Sequence, residues 1–297
     1  MIEYISDKLV EIYNDFKKSV DEENNICELK DFTFTGSVLP DYRNPLIQQF
    51  YLLKYLYGYF GEYVCIYREI IRNRFIKGKF EVLSLGCGCG LDLWGLKHAC
   101  EEVFPDSNIE RYNGIDVVEW KYRDKFYRKI NVSYIDRNIL DIEKVVVKTY
   151  NLIVFPKSIG EFSEEEFEHL LSLLVNGTFL NERIAVVGAM RKGRRDDDLI
   201  RFCRVIDVLQ KHHGYGIRDC NDINKCGNNN CVADVLGGFT YPEEIKEYMR
   251  NLYKHCKTYI KNKRVCSRDC GNTLARKSIS TMSQATYQII YLERMEK

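Results

Sequence analysis

The sequence has no apolar run that could cross a bilayer. The best candidate, Leu46 to Tyr67, is interrupted by Lys54 and Glu62 and is rich in tyrosine, so we expect no membrane span. The opening residues, 1–16, have the pattern of an amphipathic helix rather than of a secretory signal. Without such a signal, the twelve cysteines are expected to be thiols or metal ligands in a reducing compartment, with the cytoplasm as the default location.

Net charge is also nearly absent: 44 Lys and Arg stand against 43 Asp and Glu, which leaves +1. The charge is unevenly spread, however. Residues 254–277 contain eight Lys or Arg and one acid, Asp269, and a second basic run at 191–195 precedes three aspartates at 196–198. Basic stretches bind phosphates without reading sequence. They favour a folded RNA as partner, although solvated helix surface explains them equally well.

Two phosphate-binding motifs are missing from the glycine-rich stretch that follows Leu85. A dinucleotide fingerprint would need a glycine at position 91, where the chain has Leu91, and a P-loop would need Gly-Lys-Ser/Thr. Instead, an apolar run over 80–85 predicts a buried strand. A G-x-G-x-G turn over 86–90 follows, and helical spacing resumes at Leu91. Such a turn lets the backbone approach a ligand closely.

A second predicted strand ends in an acid. Residues 110–120, ERYNGIDVVEW, place Asp116 at the end of that strand, where a carboxylate accepts hydrogen bonds from ribose hydroxyls in nucleotide-binding sheets. With the G-x-G-x-G turn, this pattern resembles the class I S-adenosylmethionine (SAM) methyltransferases. The resemblance covers roughly 80–189 and the last strand. It implies an α/β fold with a doubly wound, mostly parallel sheet, and SAM as cofactor.

The resemblance also implies which residues bind the nucleoside. By position, the turn residues contact the methionine and ribose end of SAM, Asp116 binds the ribose, and the segment after the third strand meets the adenine. The predicted cofactor-binding residues are Gly86, Cys87, Gly88, Gly90, Asp116, Asp136, Arg137, Asn138 and Phe155. One departure is Ser84, which stands where the family often has an acid that contacts the SAM amino group.

The loop after the fourth strand is expected to reach the methyl group. Its polar residues are Lys157, Ser158 and Glu161, which are therefore the catalytic candidates. We prefer Glu161 as proton acceptor or substrate anchor, although a carboxylate near the helix start at Ser163 is an equal alternative. The Asn/Asp-Pro-Pro-aromatic signature of exocyclic-amine methylases is absent, which counts against an adenine-N6 or glutamine methylase.

The remaining elements complete the predicted organisation. Residues 1–78 form an N-terminal helical cap, and 79–297 form the SAM-binding domain, with a cysteine-bearing insertion at about 212–240 and a basic loop at about 257–275. Strands are predicted near 80–85, 111–115, 131–135, 151–155, 183–189 and 285–293, and helices near 91–103, 119–129, 163–175, 197–211 and 243–257. The aromatic cap segment 45–75 either packs on the sheet or covers the SAM pocket.

Cysteines cluster outside this core. Structural zinc needs four Cys or His ligands on tightly turning loops, and no C-x-x-C pair is present. The candidate zinc ligands are Cys220, Cys226, Cys231, Cys266 and Cys270. The alternative is a set of reduced thiols in an irregular loop.

Three functions remain open from the sequence. The leading interpretation is methyl transfer from SAM to RNA, and the second is transfer to a small molecule bound under the aromatic cap. The third is an inactive scaffold with the same sheet, favoured by Ser84 and Asn151, which replace acids usual at those places.

Overall fold

A computed structural model describes residues 1–23, 26–30, 40–103, 108–124, 130–143, 149–191, 193–222, 240–261 and 285–295. The helices are α1 Ile2–Glu22, α2 Pro45–Asn73, α3 Leu91–Val103, α4 Glu164–Asn176, α5 Arg195–His213, α6 Glu243–Arg250 and α7 Lys257–Lys261. The strands are β1 Phe80–Leu85, β2 Ile109–Asp116, β3 Asn131–Asp136, β4 Leu152–Pro156, β5 Arg183–Ala189, β6 Tyr215–Cys220 and β7 Tyr287–Arg294.

These strands form one sheet in the order β3-β2-β1-β4-β5-β7-β6. The pairs among β1 to β5 are parallel, and β7 runs antiparallel between β5 and β6. Order 3-2-1-4-5 is that of a doubly wound nucleotide-binding sheet, with ligands at the carboxyl ends of the strands. The predicted fold class is therefore confirmed.

Both faces of the sheet are covered, as alternate residues of β1 show. Phe80 and Val82 pack in the core that includes α1, α2 and α3, whereas Leu83 and Leu85 pack in the core that includes α4 and α5. This two-sided burial explains the nearly continuous apolar character of the strand. On the α1–α3 side the helices lie very close, because a Cβ on Gly95 of α3 would be 2.5 Å from the Cβ of Tyr63 in α2.

Local sequence signals set the helix ends. Asn44 caps α2 by accepting a 2.9 Å hydrogen bond from the Leu46 amide, and Pro45 occupies the first helical position. Ser163 and Glu166 form the capping box that begins α4. None of the described helices is both long enough and apolar enough to cross a bilayer.

The predicted helix at 119–129 is wrong for the part that is described. Residues 117–124 form bends and turns, because the side chain of Gln48 in α2 forms hydrogen bonds with their backbone. Its amide nitrogen donates to the Glu119 carbonyl at 2.9 Å, and its amide oxygen accepts from the Lys121 amide at 3.1 Å. Residues 125–129 lie outside the described part.

Strand β6 also differs from the prediction, which assigned these residues to the insertion. Gly214, with φ +70°, ends α5 in the left-handed conformation, and the chain then pairs antiparallel with β7, Ile217 opposite Leu292. Most of the predicted insertion and of the predicted basic loop lies at 223–239 and 262–284, outside the described residues.

Candidate active site at the carboxyl edge of the sheet

The turn after β1 is built on three glycines in the left-handed region. Gly86, Gly88 and Gly90 have φ values of +69°, +55° and +82°, which side-chain-bearing residues rarely adopt. A Cβ on Gly86 would lie 2.3 Å from the Cβ of Ser158, and a Cβ on Gly90 would lie 2.6 Å from the Tyr134 hydroxyl. The backbone conformation therefore favours glycine at all three positions, and close packing requires it at Gly86 and Gly90.

Asp116 ends β2 directly beside this turn. Its Oδ2 accepts a 2.7 Å hydrogen bond from the Gly88 amide, and its Oδ1 accepts a 2.9 Å bond from the Val118 amide. Burial raises the pKa of Asp116, while these two backbone donors oppose the shift. Each carboxylate oxygen can accept a further hydrogen bond. The carboxylate can therefore accept hydrogen bonds from a pair of ribose hydroxyls.

Arg123 is a site residue that sequence reasoning missed. It forms an ion pair with Asp136, and its Nε and Nη2 donate to the Gly88 and Val118 carbonyls at 2.9 and 3.0 Å. Its guanidinium also lies 4.6 Å from the ring centre of Tyr134. Asp116 thus binds the amide of Gly88, and Arg123 binds its carbonyl. No motif marks Arg123, because its position follows from the turn at 117–124.

The other residues predicted to meet the adenine differ in placement. The Arg137 amide donates to the Asp116 carbonyl at 3.0 Å, while its side chain is exposed. The Asn138 side chain caps a short 3-10 turn at Leu140 and donates to Glu166 at 2.7 Å. Phe155 is fully buried in the core on the α4–α5 side, so the proposed site leaves it out.

Lys157 and Ser158 tie the loop after β4 to its surroundings. Lys157 adopts φ +64°, and its ammonium group lies 2.8 Å from the buried Glu62 carboxylate of α2 and donates to the Met190 carbonyl at 3.0 Å. The Ser158 hydroxyl donates to the Leu85 carbonyl. These groups position the loop against α2 and the glycine turn, and both are engaged within the protein.

Glu161 is the carboxylate of this loop that accepts no hydrogen bond from any described residue. Burial raises its pKa to about 7, opposed by the charge of Arg191 and reinforced by Asp116 and Asp198. Arg191 donates to Asp198 at 2.7 Å through Nη2 and at 2.8 Å through its amide. A Cβ on Gly160 would come within 2.0 Å of both groups of that pair. A carboxyl that titrates near neutrality is suited to proton transfer.

An aromatic cluster lies beside Glu161. We define it as Tyr42, Tyr51, Tyr55, Tyr59 and Trp120. Neighbouring ring centres are separated by 5.3 Å for Tyr51 and Trp120 and by 5.1 Å for Tyr55 and Tyr59. The charge of Glu161 contributes to the raised pKa values of three of these tyrosines, Tyr42, Tyr51 and Tyr59, so its carboxylate is within electrostatic range of them. The predicted aromatic cap thus reaches the catalytic candidate.

Ser84 and Asp92 form a second buried network that the sequence did not indicate. The Ser84 hydroxyl donates to Asp92 at 2.8 Å, and the Tyr112 hydroxyl donates to the same carboxylate at 2.9 Å. Burial raises the pKa of Asp92 to about 6, against these two hydrogen bonds. Ser84 is therefore engaged under the turn rather than directed at the predicted ligand site.

The predicted zinc site falls mostly outside the described residues. Cys220 is exposed at the end of β6, whereas Cys226, Cys231, Cys266 and Cys270 are not described. In the turn, Cys87 is buried and its pKa is raised by burial. Within the described ranges, no group of three His, Cys, Asp or Glu side chains is arranged to bind a metal.

Comparison with known proteins gives likeness at the level of structure. No family model matches the sequence, and no curated protein matches it. A plantazolicin methyltransferase in complex with SAH is 16% identical, with a TM-score of 0.42 over 95% of this chain and 99% of that one. A TehB-like SAM-dependent methyltransferase from Corynebacterium glutamicum is 12% identical, with a TM-score of 0.36 over 77% of this chain and 88% of that one.

A third solved structure is the magnesium protoporphyrin IX methyltransferase from Synechocystis with bound SAH. It is 11% identical, with a TM-score of 0.36 over 94% of this chain and 100% of that one. Because these TM-scores lie below 0.5, the fold assignment depends on the strands of this chain themselves. Their order, the antiparallel β7 and the acid that ends β2 give the chain the fold of the class I SAM-dependent methyltransferases.

Proposed function

We propose that the chain is a SAM-dependent methyltransferase. The observation that carries this proposal is Asp116, whose half-buried carboxylate is aligned by the Gly88 and Val118 amides and keeps acceptor capacity for two hydroxyls. The glycine turn and Asp116 would bind the nucleoside. When bound, SAM supplies a methyl group: the acceptor atom forms a bond to the methyl carbon as the carbon–sulfur bond breaks, which leaves a thioether.

The chain's own chemical contribution is positioning and proton acceptance. Glu161 lies on the loop after β4 with no hydrogen-bond donor among the described residues, and its pKa of about 7 lets it take a proton from an acceptor near neutral pH. Lys157 and Ser158, which we predicted as catalytic, act in this proposal by fixing the loop that carries Glu161. Close, fixed placement is the main requirement of an in-line displacement.

A small-molecule acceptor fits the described site better than RNA. The aromatic cluster lies within electrostatic range of Glu161, and apolar rings beside a single carboxylate suit a small organic acceptor. The described part of the 191–195 basic run is neutralised, because Arg191, Arg194 and Arg195 pair with Asp198, Asp197 and Asp196. RNA remains a second proposal that depends on residues 257–275, most of which are not described.

Transfer of a labelled methyl group tests the proposal and separates the acceptors. The protein is incubated with SAM carrying a tritiated methyl group and with cell extract, and macromolecules are then retained on an ultrafiltration membrane. Because unreacted SAM also passes the membrane, the filtrate is separated by chromatography. We expect a labelled product there that is distinct from SAM, a signal that Glu161→Gln loses and the exposed control Glu165→Gln keeps. Label retained on the membrane and released by ribonuclease would favour RNA.

Absence of transferred label in both fractions would favour the scaffold interpretation. The two residues that suggested it, Ser84 and Asn151, have structural roles: Ser84 bonds Asp92, and the Asn151 side chain bonds the Lys79 carbonyl and the Glu81 amide at 2.8 and 3.0 Å. Neither substitution counts against catalysis.

Two further proposals concern mainly residues outside the described ranges. If the basic loop binds RNA, charge reversal at Lys261, Lys263 and Arg264 weakens the salt-sensitive retention of the protein on RNA. If the cysteines bind structural zinc, metal analysis of the purified protein shows about one zinc per chain. Retention unchanged by charge reversal, or stable protein without metal, would refute the respective proposal.

A further inference from the structure

The aromatic cluster and Glu161 together make a site with a definite charge preference. Ring centres of Tyr42, Tyr51 and Trp120 are 5.3 to 5.5 Å apart in each pair. Tyr51 also contacts Tyr55 at 5.3 Å. Aromatic faces carry partial negative charge and attract cations. A group of several such rings beside one carboxylate is therefore selective for positive charge.

Carboxylates outnumber the cations in the immediate surroundings of Glu161. Asp116 and Asp198 both act on its titration, as does Arg191. Arg191 is already matched by Asp198 through a hydrogen-bonded ion pair. Arg123, whose charge also acts on Asp116, is paired with Asp136. Among the described residues, Glu161 and Asp116 are therefore in excess of the cations around them, so an anionic acceptor would be repelled and a cationic one attracted.

The rings of this cluster already attract ammonium groups of the chain itself. Lys157 Nζ lies 5.0 Å from the ring centre of Tyr59, and Lys54 Nζ lies 5.2 Å from that of Tyr55. Lys157 is in turn neutralised by the buried Glu62, so it adds little net positive charge. The same interaction is expected for a ligand at the Tyr42, Tyr51 and Trp120 end of the cluster.

We propose that the acceptor is an organic amine, which binds in its ammonium form against the aromatic cluster with Glu161 as counter-ion. This inference rests on the proposed methyltransferase function and names its acceptor class. One N–H bond of the ammonium group breaks, the proton passes to a Glu161 carboxylate oxygen, and the electron pair stays on nitrogen as the nucleophilic lone pair. Neutral alcohols would gain neither the cation–π nor the ionic attraction.

Calorimetric titration with a charged probe and its neutral isostere tests this inference. Choline and 3,3-dimethylbutan-1-ol have nearly the same shape and differ in charge. With the protein saturated by S-adenosylhomocysteine, we expect choline to bind at least about tenfold more tightly. Glu161→Gln should lose most of this preference, while Glu165→Gln, at an exposed position of α4, keeps it.

Three outcomes would overturn the inference. They are equal affinity for the two probes, no binding of either, and a preference that Glu161→Gln and Tyr51→Leu leave unchanged. If instead Glu161→Gln weakens the binding of SAM more than that of S-adenosylhomocysteine, and the two probes bind equally, then the rings bind the sulfonium group of SAM rather than an acceptor. Failure of S-adenosylhomocysteine to bind at all would overturn the proposed function itself, which the first step of the titration reveals separately.

Discussion

Glu161 owes its unusual titration to its position on the loop after β4. The described residues offer its carboxyl no hydrogen-bond donor, and burial favours the neutral form, which raises its pKa to about 7. We expect carbon-13 NMR of the glutamate carboxyl groups to show one resonance that titrates near pH 7. That resonance should vanish in Glu161→Gln and remain in Glu165→Gln. Glutamates that all titrate in their ordinary range would remove Glu161 as the proton acceptor.

Asp92 gives a prediction about stability at the same scale. Burial raises its pKa from 3.8 to about 6 in the folded state, so between these values the folded chain binds more protons than the unfolded chain. The associated stabilisation is present below about pH 4 and is lost as pH rises through about 6, a change of about 3 kcal/mol. In Asp92→Asn the side chain cannot ionise, so this variant does not lose stability over the same pH range.

Urea unfolding across this pH range measures the effect. The free energy of unfolding of Asp92→Asn minus that of the wild type should rise with pH by up to about 3 kcal/mol, while the same difference for the exposed Asp141→Asn stays flat. A flat difference for Asp92→Asn as well would show that the carboxyl titrates normally.

Individual site residues differ in how far sequence predicts them. Gly86, Gly88 and Asp116 could be placed because a strand, a turn and a second strand form a local pattern with few alternatives. Arg123 could not, since its contacts depend on a turn whose backbone is bound by Gln48 from a distant helix. Side-chain networks across separate elements leave no periodic signal.

At the scale of elements, the buried Lys157–Glu62 pair connects α2 to the loop after β4. Replacing Lys157 by Met leaves the fully buried Glu62 without its cation, which costs about 3–5 kcal/mol. Chemical denaturation measures this, with Lys211→Met as control, because the Lys211–Asp207 pair is exposed.

The double variant Lys157→Met with Glu62→Leu separates charge from packing. The double variant should recover a large part of the lost stability, since replacing a buried ion pair by apolar groups changes the free energy of unfolding little. An equal loss in single and double variants would mean that the pair contributes through shape rather than charge.

Elements were predicted correctly where their sequence pattern is local. The predictions were wrong where contacts with another element determine the backbone conformation. The strands at 80–85 and 183–189 follow from apolar runs, and the capping box begins α4 as its sequence indicates. The predicted helix at 119–129 fails because Gln48 replaces helical hydrogen bonds in its described part. Strand β6 was missed because most of its residues are exposed and it has no apolar run; among the described strands it pairs with β7 alone.

At the scale of the whole molecule, strand order brings the proposed site together. Residues from the ends of β1, β2 and β4 meet at one edge because parallel neighbours carry their carboxyl ends to the same side. The chain before β1 contributes the tyrosines of the aromatic cluster, and α2, which carries three of them, packs in the same core as β1 and α3. Although the net charge of the whole chain is close to zero, carboxylates are in excess around the proposed site.

Calorimetric titration of S-adenosylhomocysteine into the wild type, Asp116→Ala, Asp116→Asn and the exposed control Asp141→Ala tests the central claim. We predict saturable binding by the wild type and by Asp141→Ala. Affinity should fall about tenfold in Asp116→Asn and at least about 100-fold in Asp116→Ala, since each hydrogen bond to a charged acceptor contributes about 1.5–3 kcal/mol. Circular dichroism would show that both Asp116 variants are folded. No binding by the wild type, or equal affinity in all four proteins, would contradict the account.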